Sequence, residues 1–188
     1  MTAQEVSNIR NGVNLDQLMG TIEAIKRQPE LARFQFRAQT EWIDGGHCRT
    51  SIQSFYGAGH EDTSRRQPFV LEGDEPPVLL GSNYGPNAVE AVLHALASCL
   101  AVGFIYNAAT QGIDVRGLHF KLEGDIDLHG FLGLSDQVRP GYEQIRLVYR
   151  VESDTPRDKL EALCDYVQKT SPVLDIIRNP VPVQIELA

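Results

Sequence analysis

An α+β fold with antiparallel sheet around one long helix is what this sequence predicts. Three observations carry that expectation. Residues Ala91 to Ala109 (AVLHALASCLAVGFIYNAA) form an uncharged run of helix length. Several other segments alternate apolar and polar residues with the period of two that marks a half-buried strand. The order of these segments, αββ(β)αββααβ, fits the α+β class.

Each element has its own signal. Asn14 to Gln28 places Leu15, Leu18, Met19, Ile22 and Ile25 three and four residues apart, which is one apolar helix face. Asn14 or Asp16 can cap its start, and Pro29 lies just past its end. Arg33 to Trp42 alternates Phe34, Phe36, Ala38, Thr40 and Trp42 with polar neighbours, predicting a strand. Asp44-Gly45-Gly46 is a turn signal, and His47 to Phe55 reads as the returning strand of a hairpin. Tyr56 to Arg66 reads as loop, Gln67 to Glu72 as a third strand, and Gly73 to Gly85 as a second loop running into the long helix near Asn87.

Past that helix, Gly112 ends the apolar pattern. Val115 to Asp127 reads as a strand, Leu128 to Gly141 as glycine-rich loop, and Ile145 to Val151 as another strand. Thr155-Pro156 opens a helix carrying Leu160, Leu163, Cys164 and Val167. Ser171-Pro172 restarts a short helix, with Ser171 as N-cap and Pro172 in the first position. Asn179-Pro180 stops it, and Val181, Val183, Ile185 and Leu187 make a final strand.

Composition bounds the function. A chain of 188 residues with no internal repeat or charge block is expected to be one domain, residues 1–188, with an N-terminal helical extension over 1–32. Apolar residues at 42% and charged residues at 22% exclude a disordered chain. The net charge of −8 argues against nucleic acid and anionic membrane surfaces as partners. Cys48, Cys99 and Cys164 are too few and scattered for a disulfide scaffold. Met1 to Arg10 holds no apolar stretch, so no signal peptide is expected and the default is a soluble cytoplasmic protein.

The 91–109 run approaches the length of a membrane span. His94, Ser98 and Asn107 interrupt it, and its flanks, Glu90 and Asp114, supply no basic topology signal. The expectation is therefore a helix buried on nearly every side. So apolar a helix needs either a central place wrapped by sheet or burial against a second copy of the chain.

Few residues can carry chemistry. His47-Cys48 and His60 are the only local cluster of metal-ligand types and lack any metal-site spacing, so no metal or cofactor is expected. There is no phosphate-binding GxxxxGK[ST] loop, no GxGxxG and no GxSxG elbow. Cys99 remains as the chemical centre by elimination. A reactive thiolate in mid-helix needs a cation from elsewhere, and Arg65 and Arg66 in the loop before the helix are the candidates, ahead of Arg37 and Arg49. His94 lies about 140° around the helix from Cys99 and does not share its face. Glu90 is on the opposite side from Cys99 and is expected to pair locally with His94.

Two segments resemble a known family. Gly85 to Gly103 (GPNAVEAVLHALASCLAVG) looks like the helix motif of the OsmC/Ohr family, the osmotically inducible and organic hydroperoxide resistance proteins. Thr170 to Leu187 (TSPVLDIIRNPVPVQIEL) is similar to that family's second motif, Cys-Pro-Val followed by a short helix and a last strand. The resemblance covers Gly85 to the C-terminus well and the preceding strands loosely.

It implies an OsmC-like fold, with antiparallel sheets wrapped around the long helix in an intertwined homodimer. It also implies a thiol peroxidase: the helix Cys attacks a small organic hydroperoxide, a second Cys resolves the sulfenic acid, a dithiol reduces the disulfide, and an Arg and a Glu steady the thiolate. Carried over by position, Cys99 is the attacking residue and Ser171 stands in the resolving place. Val89 takes the acidic position with Glu90 beside it, and Arg65 or Arg66 is the arginine. Two functions follow. One is a hydroperoxide reductase using Cys99 alone with an external thiol. The other is a non-catalytic protein of the same fold that binds a small apolar ligand at the dimer interface.

Overall fold

The computed structural model describes residues 8–187 of the chain. Its elements are a mixture of helices and antiparallel strand pairs, as expected of an α+β fold. They fall into two compact units. Among the described residues, one comprises residues 8–15 together with 92–187, and the other is Asp16–Ala91.

The first unit begins with a hairpin that the sequence reading did not anticipate. Strands β1 (Ile9–Arg10) and β2 (Val13–Asn14) pair across Asn11-Gly12. Both turn residues have positive φ, 50° and 77°, the pattern of a tight hairpin turn that favours Asn-Gly. The Asn11 side chain donates to the carbonyl of Ile113 at 2.9 Å and accepts from the backbone N–H of Val115 at 2.9 Å. Arg10 donates to the Gly112 carbonyl.

The core of this unit is built on α2 (Ala88–Thr110) and α4 (Arg157–Thr170). Leu96, Leu100, Phe104 and Ala108 recur at intervals of four on α2 and are buried against Leu163, Val167 and Leu174. Gly103 allows the close approach, since a β-carbon there would lie 3.2 Å from Val167. The strands β8 (Gly117–Asp125) and β9 (Gln144–Glu152) pair antiparallel, with Phe120 opposite Tyr149 and Leu122 opposite Leu147. Phe120, Leu122, Leu147 and Tyr149 pack onto the same core. Helix α2 ends as predicted at Gly112, whose φ of 74° lets Ile113 N–H reach back to Ala108 and Gly112 N–H to Ala109. The expected loop after β8 contains a short helix, α3 (Leu128–Phe131), capped by Asp127.

The second unit holds α1 (Leu15–Arg27), close to its predicted span, and a three-stranded antiparallel sheet. In that sheet β4 (His47–Ile52) pairs with both β3 (Gln39–Asp44) and β7 (Phe69–Gly73). Strand β3 starts later than the alternation from Arg33 suggested. Phe34 and Phe36 instead stack with Phe55, and only Gln35 bridges to Tyr56. The segment Tyr56 to Arg66 is not all loop: β5 (Phe55–Gly57) and β6 (His60–Asp62) form a hairpin around Ala58-Gly59. Ala58 adopts φ of 51°, a conformation its side chain does not advertise in sequence.

Two further expectations need correction. The alternating segment from Val181 to Leu187 forms no strand among the described residues, because no neighbouring strand in the chain pairs with it. Helix α2 is not buried on nearly every side. Leu96, Leu100, Phe104, Ala108 and Ala109 are buried, whereas Val92, Val102 and Tyr106 are exposed. It is long and apolar enough to cross a membrane by length and composition, yet its buried stripe packs against α4 within the fold.

Candidate functional site

Two helices and one bend position the site. Cys99 sits in the middle of α2, one residue before the buried Leu100. Helix α4 ends at Thr170, and Ser171 takes an extended backbone (φ −78°, ψ 114°) before Pro172 opens α5 (Pro172–Arg178). Proline fits the first turn of a helix, where its missing N–H costs nothing. Ser171 therefore does what its position in sequence predicted, and its hydroxyl oxygen accepts from Leu174 N–H at 3.2 Å.

The same hydroxyl lies 3.2 Å from Cys99 Sγ. These two residues, 72 apart in sequence, are the pair of predicted site residues that the fold brings into contact. Ser171 is buried at 5% exposure, and Cys99 is half-buried. Leu96, Leu100, Leu163, Val167 and Leu174, which flank both residues in sequence, belong to one buried core.

The other candidates are engaged locally. Glu90 does not pair with His94. Its carboxylate accepts from Asn87 N–H at 2.9 Å while Asn87 Oδ1 accepts from Glu90 N–H at 2.9 Å, a reciprocal cap at the start of α2. His94 instead lies 3.5 Å from the Ser98 hydroxyl. Arg65 donates to the Gln53 carbonyl at 3.1 Å, and its guanidinium lies over the rings of Phe55 and Phe69. Arg66 is exposed.

Cys164, on α4, is half-buried, and burial followed by the neighbouring charges of Asp165 and Glu161 pushes its thiol pKa up. Its thiolate is correspondingly disfavoured, which slows its reactions as a nucleophile without abolishing them. Tyr149 faces the same environment. Its phenol is pushed up to about 12, first by burial and then by Cys164, and its buried hydroxyl has no hydrogen-bond partner among the described residues.

The histidines considered as metal ligands are spoken for within the second unit. His47 Nε2 is 2.8 Å from Glu72, and its ring stacks on Tyr84, while His60 Nδ1 is 3.2 Å from the Ala58 carbonyl. Among the described residues no three His, Cys, Asp or Glu side chains are placed to hold a metal ion. One buried charge escaped the sequence reading. Asp74 is 4% exposed and accepts from the backbone N–H groups of Glu75, Ser82 and Tyr84. Burial pushes its carboxyl up, but the three donors outweigh it and hold the pKa below the ordinary value.

Comparison with known proteins places this geometry. A family model described as OsmC-like protein matches residues 81–186, more than half of the chain and the stretch that contains Cys99 and Ser171. The chain belongs to the OsmC-like family. Solved structures agree on the fold of this family member. An OsmC-like protein from Mycoplasma pneumoniae superposes with a TM-score of 0.58 at 14% identity, covering 78% of this chain and 89% of that one. An organic hydroperoxide resistance protein, OsmC, from Legionella pneumophila gives 0.51 at 16% identity, covering 77% and 89%. At such identities the likeness speaks for the fold. No curated protein matches the chain.

Proposed function

We propose that this OsmC-like protein is a thiol-dependent hydroperoxide reductase of the cytoplasm that works through Cys99 without a resolving cysteine. The 3.2 Å contact between Cys99 Sγ and the Ser171 hydroxyl is the observation that carries the reading. The Ser171 oxygen already accepts from Leu174 N–H, so its proton is free to donate to a thiolate. The thiolate attacks the terminal oxygen of ROOH and the O–O bond breaks. The sulfur becomes a sulfenic acid, and the alkoxide takes a proton to leave as ROH. An external thiol then condenses with the sulfenic acid, releasing water and forming a mixed disulfide. A second thiol restores Cys99 and leaves as the disulfide of the reductant. Arg65 or Arg66, together with Glu90 of a second copy of the chain, is proposed to act on the Cys99 thiolate.

The working form is proposed to be a homodimer. Trp42, Phe69 and Leu71 on the three-stranded sheet, Val102 and Tyr106 on α2, and Val183 and Ile185 near the C-terminus all stand exposed. Apolar surface on that scale calls for a partner, and light scattering is expected to give twice the 20.9 kDa chain mass. The activity is tested with cumene hydroperoxide and a dithiol. Wild type is expected to consume peroxide and Cys99→Ser is not. Equal, negligible consumption by both overturns the reading.

A further inference from the structure

Apart from the Cys99–Ser171 contact, the first unit contains a cavity of about 580 Å³ that neither residue lines. It lies among α2, β9, α4 and α5, and its size is that of small-molecule sites. The wall grades from apolar to charged. Leu96, Leu100 and Leu174 are buried lining residues, Leu147 is half-buried, and Arg139 and Arg178 are exposed ones. Neither guanidinium has an ion-pair partner among the described residues, so both are available to a ligand, whereas Arg116 and Arg146, like only some of the protein's arginines, are paired with carboxylates. Glu143 is the one acidic side chain in the lining, so the cavity carries a net charge of one cation.

We propose that this cavity binds a small amphipathic carboxylate, with its acyl or aryl chain on Leu96, Leu100, Leu147 and Leu174 and its head group between Arg139 and Arg178. The apolar wall removes the chain from water. A planar guanidinium matches a carboxylate with two parallel hydrogen bonds. Two arginines against Glu143 balance one negative charge, which selects a monoanionic head over a phosphate dianion. Because Cys99 does not line the cavity, this ligand is held and not turned over, and the proposal stands apart from the peroxidase reading. Cys164 lines the wall and so reports on occupancy.

The test uses the full chain and isothermal titration with three probes of equal chain length: decanoate, decyl phosphate and decanol. Decanoate is expected to saturate at one per chain and to bind at least tenfold more tightly than decanol or decyl phosphate. In Arg139→Gln/Arg178→Gln the decanoate affinity is expected to fall about tenfold while decanol is unchanged. Decanoate is also expected to slow alkylation of Cys164 several-fold and leave Cys48 unaffected. The double variant changes only exposed side chains, so circular dichroism identical to wild type is expected alongside. Absence of saturable binding, a preference for decanol or decyl phosphate, indifference to the arginine changes, or unprotected Cys164 would each overturn the proposal. Loss of decanoate binding in Cys99→Ser would assign the ligand to the Cys99 site and likewise sink it. Decanoate binding by Cys99→Ser at wild-type affinity is the supporting result, whatever the outcome of the peroxide assay.

Discussion

Replacing Ser171 by cysteine places a thiol where a hydroxyl now sits 3.2 Å from Cys99 Sγ, and the pair is expected to form a disulfide on oxidation. Two opposing magnitudes follow. The bridge closes a loop spanning 72 positions, for which the chain-entropy relation gives about 4 kcal/mol of stabilisation. The substitution also removes the side-chain acceptor that caps α5 at Leu174 N–H, at a cost of about 1 kcal/mol. Oxidised Ser171→Cys is therefore expected to exceed wild type by about 3 kcal/mol, and the reduced form to fall about 1 kcal/mol below it. Urea denaturation with and without a dithiol measures both differences. Thiol titration of the denatured chain is expected to count three in wild type, four in the reduced variant and two in the oxidised one. Four thiols persisting under oxidation would refute the placement of Ser171 over Cys99. A bridged form no more stable than wild type would refute the view that the core holds the two residues at bonding distance without strain.

Three other outcomes are expected. Asp74→Ala strips three backbone N–H groups of their buried acceptor and should lower stability by about 3 kcal/mol in denaturant melts; a loss under about 1 kcal/mol would mean that the loop satisfies these donors otherwise. Tyr149→Phe removes a buried hydroxyl with no partner among the described residues and keeps the ring contact with Phe120, so stability at neutral pH should hold or rise by up to about 1 kcal/mol. A clear loss would show that the hydroxyl is bonded. Tyr149 also sets an alkaline dependence: the unfolded phenol releases its proton near pH 10, whereas the folded one keeps it to about 12. The folded state thus binds more protons in that window, stability falls as pH rises through it, and the fall should be shallower in Tyr149→Phe when followed by fluorescence melts.

Much of the site was legible because it rests on local chemistry. Ser171-Pro172 is a strong helix-start signal, and an alanine- and leucine-rich run around Cys99 favours helix over strand. What the sequence reading could not give was distance. The meeting of Cys99 with Ser171 depends on Leu100, Val167 and Leu174 sharing one core. Glu90 departs from the expected pairing with His94 because its partner, Asn87, lies outside the apolar pattern and engages it through its own backbone N–H and its side-chain oxygen. The hairpin at Ala58-Gly59 escaped notice because alanine rarely accepts a positive φ. Asn11-Gly12 carried a plain turn signal, but strands of two residues are too short to show a period. The unpaired segment from Val181 shows the reverse: alternation reports a preference for pairing, and supplies no partner.

The Asn11 clamp bears on how the chain assembles during synthesis. Its bonds to Ile113 and Val115 span 102 and 104 positions, so β1 and β2 emerge long before their docking site exists. Asp16–Ala91, by contrast, is contiguous and can complete its own contacts as soon as it leaves the ribosome. The first unit is then closed last, by a step of high contact order that ties the beginning of the chain to the far end of α2.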